Sequence, residues 1–227
     1  QGVPSSNVYG VHKVMRGSIS GTEIFNTGSG QNSSFYNYMN IVITFMDSPF
    51  SSHMERYRLQ DSNQENLMDP IDPLLKILQT KGLEHENSFL QSFISNEKKV
   101  VNIENINAKD KLKETKKALK DGVDVIAQAY LELDHFGGIA DFLIKVPGSS
   151  LLGNYHYEVW DTKLSKKMKP YFAIQLCCYA EMLKIEQGIL PEKVAIVLGD
   201  NKIKHLRVRD YFSYYCNLKS TFMSFHN

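Results

Sequence analysis

Asp141, Asp161 and Lys163 are the residues of this chain whose types and spacing can do chemistry. Asp141 is the only acid in the apolar run GGIADFLIKV (137–146), and Asp161 and Lys163 form an acid-x-lysine pair in YEVWDTKL (157–164). Alternate side chains on a strand share a face, so Asp161 and Lys163 are neighbours roughly 6.5 Å apart along it, with Tyr157 and Val159 on the same side. By the same period Ile139, Asp141 and Leu143 share one face of their strand, and Glu158 points away from Asp161. Carboxylates seldom enter an apolar sheet without a partner. Two of them beside a lysine suit a hard divalent cation, which takes carboxylate, carbonyl and water oxygens. The lysine suits an anionic substrate, whose developing charge it can stabilise. The carbonyl of Thr162 is available as a further ligand, and His85 or Glu86, from an earlier helical segment, can complete the shell.

Two other groups belong to the same region. Gln175 and Tyr179 stand one helical turn apart on one face, placed either to brace the acidic strand or to contact substrate. Lys166, Lys167 and Lys169 follow Lys163 directly. They suit phosphate contacts or a solvated loop equally well.

These residues need strands and helices to hold them. Three strands are expected at Val123–Leu133, Gly138–Val146 and Tyr155–Leu164, the last two joined by a Pro-Gly-Ser turn at 147–150. Val123, Val125, Ala127 and Ala129 are read as one alternating face. A helix follows from Pro170 to Gln187, with proline in its first turn and Gly188 at its end. Val194–Leu198 and Ile203–Val208 are two more strands around the turn Gly199-Asp200-Asn201, and Tyr211–Phe225 is helical. Upstream, Pro73 opens a helix that Gly82 should end or kink, and a second helix starts at Leu83. A strand is expected near Val100–Ile106 and a lysine-rich, exposed helix over 109–121. MNIVITFM (39–46) fits a strand or a short buried helix. Residues 48–70 read as polar and irregular, as do the Gly/Ser/Asn-rich residues 1–35. Hairpin strands followed by a crossover helix imply an α/β fold with a central mixed β-sheet flanked by helices.

The 227 residues suffice for one α/β domain, here 71–227, behind an N-terminal extension, 1–70. A net charge of +1 gives no global basic field, so phosphate contacts must be local. Cys177, Cys178 and Cys216 make neither a disulfide framework nor the four thiolates of an iron–sulfur cluster, and no cluster is expected. With no long apolar run, no membrane partner is expected either, and the reading is cytoplasmic, or nuclear in a eukaryote.

KGLEHE (81–86), GGIADFL (137–143), YEVWDTKL (157–164) and QLCCYAEML (175–183) together resemble the PD-(D/E)XK nuclease superfamily, in its RecB-like branch. The resemblance spans about residues 72–200. It implies a restriction-endonuclease-like core in α-β-β-β-α-β order and a Mg²⁺- or Mn²⁺-dependent nuclease acting on DNA. By position it makes His85, Asp141 and Asp161 metal ligands, Lys163 catalytic, and Gln175 and Tyr179 the trailing helical pair, with Glu86 as the alternative acid on the first helix. SPFSSHMERYRL (48–59) resembles the lead-in of RecB-like proteins, some of which continue into further domains, so the resemblance leaves room for further domains or helicase-like partners. A catalytically silent nucleic-acid-binding module, or a protein-interaction domain in which the acids and lysine merely pair, are the competing readings.

Overall fold

The computed structural model describes residues 36–60, 73–134 and 136–226. The irregular segments expected at 1–35 and 61–70 lie outside them. The elements run β1 (Tyr36–Asn37), α1 (Tyr38–Asp47), α2 (Pro49–Gln60), α3 (Pro73–Ser95), β2 (Val100–Asn102), α4 (Ala108–Lys120), β3 (Val125–Leu133), β4 (Phe136–Ser150), β5 (Gly153–Lys163), α5 (Pro170–Gln187), β6 (Lys193–Leu198), β7 (Ile203–Arg207) and α6 (Arg209–His226). This is not the expected α-β-β-β-α-β order. The chain places a short strand between two leading helices and closes with a hairpin strand and a further helix.

Six strands lie in the spatial order β2-β3-β4-β5-β6-β7, and β1 pairs alongside β4 off this path. β3, β4 and β5 are antiparallel neighbours, while β5 and β6 run parallel across the α5 crossover. β2 and β3 are parallel across α4. The sheet is therefore mixed and open, with helices on both faces. On one face α3 lays Phe89, Leu90 and Phe93 against Val125, Ala127, Phe142 and Trp160. Phe89 meets Phe142 edge-on at 5.4 Å and stacks over Trp160 at 6.2 Å. On the other face α5 enters a larger core with side chains of α1, α4 and α6, among them Val42, Leu119, Leu176, Leu183 and Tyr215. Cys177 and Cys178 are buried there. No described helix is long and apolar enough to cross a membrane.

α5 keeps its expected bounds because both ends are written locally. Pro170 occupies the first turn, and Gly188, at φ 75°, takes the left-handed cap whose N–H donates to the Lys184 carbonyl at 2.8 Å. Gln187, wholly buried, then continues the β5 ladder with its side chain. Its Oε1 accepts from Tyr157 N at 2.8 Å and its Nε2 donates to Tyr157 O at 3.2 Å.

Several expected elements differ. α3 runs unbroken through Gly82, so the two helices read there are one of 23 residues. A single interior glycine costs only about 1 kcal/mol, which the packing of Leu75 and Leu90 offsets. The stretch after Ser48 is helical, not irregular: the Ser48 hydroxyl accepts from Ser51 N, and Pro49 sits at the first helical position. MNIVITFM is helix. The turn expected at 147–150 is instead an irregular continuation of β4, and the chain reverses at 151–152. The strand near Val100 is only three residues long. α4 is amphipathic and not simply exposed, since it buries Lys111, Thr115, Ala118 and Leu119.

Candidate active site

The pairing of β4 with β5 ends at Phe142–Trp160. Beyond that point β4 stays with β3 as far as Phe136, and β5 stays with β6 through Lys163. The sheet therefore forks, and Asp141 and Asp161 are the first residues inside the fork, one on each arm. Asp141 replaces the missing ladder partner with its side chain. Its Oδ2 accepts from Thr162 N at 2.8 Å and from Thr162 Oγ1 at 2.9 Å.

Asp161 and Lys163 point into the larger core, where Lys163 Nζ lies 2.6 Å from Asp161 Oδ2 and 5.6 Å from the Phe172 ring centroid. Both residues are buried, Asp161 to 3% exposure and Lys163 to 7%. The 2.6 Å contact is a buried ion pair, with the Lys163 ammonium as the cation facing Asp161 Oδ2. Burial pushes the Asp161 carboxyl up to about 7, opposed by Lys163 and reinforced by Asp141. Burial pulls the Lys163 ammonium down, but Asp161 and Asp141 more than offset this and its pKa lies above that of a free lysine.

The strict alternation expected for β3 and β4 does not hold at this level. Ile126 packs in the larger core with Ala129 and Leu131, while Val125 and Ala127 face α3. On β4, Ala140 and Leu143 share the larger core and Phe142 faces α3. The alternation slips at Gln128 and Asp141, which lie opposite each other where the β3–β4 ladder is interrupted. Ala129 therefore leaves the face read for Val125 and Ala127, and Ile139, Asp141 and Leu143 are not one regular face.

The slip opens the fork toward α3. Glu86 of that helix accepts a short hydrogen bond from Gln128 Nε2. Its carboxyl is pushed up to about 9, first by burial and then by the negative charge of Asp141, with a smaller push from Asp161. Glu86 thus lies within the fields of Asp141 and Asp161. His85 is turned elsewhere, with Nε2 3.4 Å from the Val197 carbonyl oxygen on β6.

Tyr179 closes the site from α5. Burial, followed by Cys178, Asp141 and Asp161, holds its hydroxyl well above the usual phenol range, and Gln175 hydrogen-bonds to it. The ring rests on β4 at Gly138, where a Cβ would lie 2.8 Å from Tyr179 Cε1. Only a residue without a side chain allows that approach. Tyr179 is buried and Gln175 half-buried, which suits them to bracing β4. Lys166 and Lys167 are exposed in the turn after β5, and Lys169, half-exposed, lies with Nζ 5.7 Å from the Tyr171 ring centroid.

Gln128 is the site residue that sequence reasoning missed. Its one signal was a lone amide in the apolar run VIAQAYL (125–131). Among the described residues no three His, Cys, Asp or Glu side chains are already gathered tightly enough to hold a metal ion. The donor chemistry nevertheless fits a hard cation. Two of the three carboxyls, Glu86 and Asp161, are driven toward protonation by burial and by the negative charge of Asp141. A divalent cation relieves that excess charge. No protein-family model matches the chain, and no curated protein does.

Proposed function

We propose that this chain is a divalent-metal-dependent nuclease hydrolysing phosphodiester bonds, most simply those of DNA, on a restriction-endonuclease-like core of the PD-(D/E)XK, RecB-like kind. The observation that carries this reading is the fork: it sets Asp141 and Asp161 on facing arms with Lys163 paired to Asp161, and Glu86 of α3 lies within the fields of both acids. Asp141, Asp161 and Glu86 would hold Mg²⁺ or Mn²⁺, with the Thr162 carbonyl as a further donor; His85, directed at Val197, is left out of the shell. Such an ion supplies Lewis acidity toward a phosphate oxygen and compensates the carboxylates. Lys163 Nζ stabilises negative charge growing on the phosphoryl group. Thr162 N–H and Oγ1–H fix the Asp141 carboxylate through its Oδ2. Tyr179 and Gln175 hold β4 in place, and Lys166, Lys167 and Lys169 meet the flanking phosphates.

A second reading has one observation in its favour. Asp161 and Lys163 are closed on each other, as in a catalytically silent domain in which acid and lysine merely pair. Incubating linear single- and double-stranded DNA with wild type, Asp141→Ala and Asp161→Ala in Mn²⁺ separates the two. Cleavage by wild type and a loss of about 100-fold or more in both variants is the nuclease outcome. DNA retained but never cut selects the binding module. Equal cleavage by all three proteins ends the nuclease proposal.

A further inference from the structure

We infer that Gln128 is a positioning residue of the site, whose backbone turn and side-chain amide hold Glu86 toward Asp141 and Asp161; the inference rests on the nuclease reading above. Gln128 is 7% exposed in the middle of β3, among apolar neighbours. Its φ is 54°, a left-handed conformation that a non-glycine residue in mid-strand keeps only where its surroundings impose it. Regular alternation would send residue 128 to the same side as Ile126, into the core under α5. The left-handed turn redirects the amide to α3, where Nε2 donates to Glu86 Oε1. The amide nitrogen of Gln128, not its oxygen, is the atom that meets the carboxyl. The turn also falls opposite Asp141, at the interruption of the ladder. Backbone strain, a buried amide and a break in pairing thus coincide at one residue, and all three serve the placement of Glu86. An apolar residue like those flanking it would fill this strand position without strain and without a buried polar group to satisfy.

Groups that orient a metal ligand typically change cation affinity by about 10- to 100-fold when removed. The test is Mn²⁺ titration calorimetry on the whole chain, with Gln128→Leu and Gln128→Gly each made alone and on a Glu86→Ala background. Glycine adopts the left-handed backbone freely, so Gln128→Gly removes the amide without adding strain. Both single variants are expected to bind Mn²⁺ about 10- to 100-fold more weakly. On the Glu86→Ala background neither should weaken binding further, because the residue they position is gone. A role confined to folding would produce the same fractional loss in both backgrounds, and that result overturns the inference. Wild-type affinity in both Gln128 variants overturns it while leaving the nuclease reading intact. A wild-type protein that takes up no Mn²⁺ overturns the nuclease reading first and this inference with it.

Discussion

Replacing Lys163 with methionine is expected to slow Mn²⁺-dependent cleavage by about 100-fold or more, the scale of losing one charge-stabilising group from a water-poor site. The ammonium of Lys163 is buried beside Asp161, and the two acids of the fork keep it charged. Methionine retains the apolar stem against Phe172 and deletes the charge. The same substitution changes stability in a pH-dependent way. Asp161 already has a folded-state pKa of about 7 against an ordinary value of 3.8, and Lys163 is the partner that restrains it. Without that partner, burial and Asp141 drive the carboxyl higher still. The folded variant then holds a proton that the unfolded chain releases. Its stability is fullest below the unfolded pKa and is lost as the pH rises through the folded one. Thermal melts should show a cost on the order of 3 kcal/mol at pH 8 and much less at pH 4. Cleavage at the wild-type rate would remove Lys163 from the chemistry.

Glu86→Gln is expected to raise the melting temperature of the metal-free protein at pH 8 by about 5 °C and to leave it nearly unchanged at pH 4. Glu86 has a folded-state pKa of about 9 against an ordinary 4.5. Between those values, ionising the unfolded chain costs the folded state up to about 1.4 kcal/mol per pH unit. Glu86 keeps part of its surface in water, so a net cost of about 2 kcal/mol is the fitting scale. A neutral amide at position 86 avoids that cost and can still accept the hydrogen bond from Gln128. Mn²⁺ should reverse the ranking at pH 8, stabilising wild type more than the variant, because a bound cation needs the ionised carboxylate. Superimposable melts of the two proteins across this pH range, with and without Mn²⁺, would place Glu86 outside the site.

The candidate site residues were more legible in the sequence than the geometry that assembles them. Asp141, Asp161 and Lys163 were legible because charges stand out in apolar strands, and α5 because proline and glycine mark its ends. The strands β3 to β6 followed from their apolar runs. The fork was not legible. It depends on where the β4–β5 ladder stops, and no local residue preference encodes that. Strict period-two counting also failed at Gln128, since nothing in its type announces a left-handed φ. Helical spacing could not choose between His85 and Glu86, which are adjacent. The direction of α3 over the sheet decides that Glu86 faces the acids and His85 faces Val197. At Gly82 a local breaker yielded to tertiary packing, and at Ser48-Pro49 a capping pair starts a helix in a stretch whose polarity reads as irregular.

Trp160, stacked over Phe89 and edge-on to His205 at 5.3 Å, is the chain's single tryptophan. It immediately precedes Asp161, and Phe89 follows Glu86 by less than one turn of α3. The indole thus joins the two elements that contribute these acids, and its emission is an optical signal native to the fork. Mn²⁺ is paramagnetic and quenches a nearby indole, whereas Mg²⁺ does not. Comparing the two ions in a fluorimeter therefore reads occupancy of this one locus without a label, a substrate or an engineered reporter.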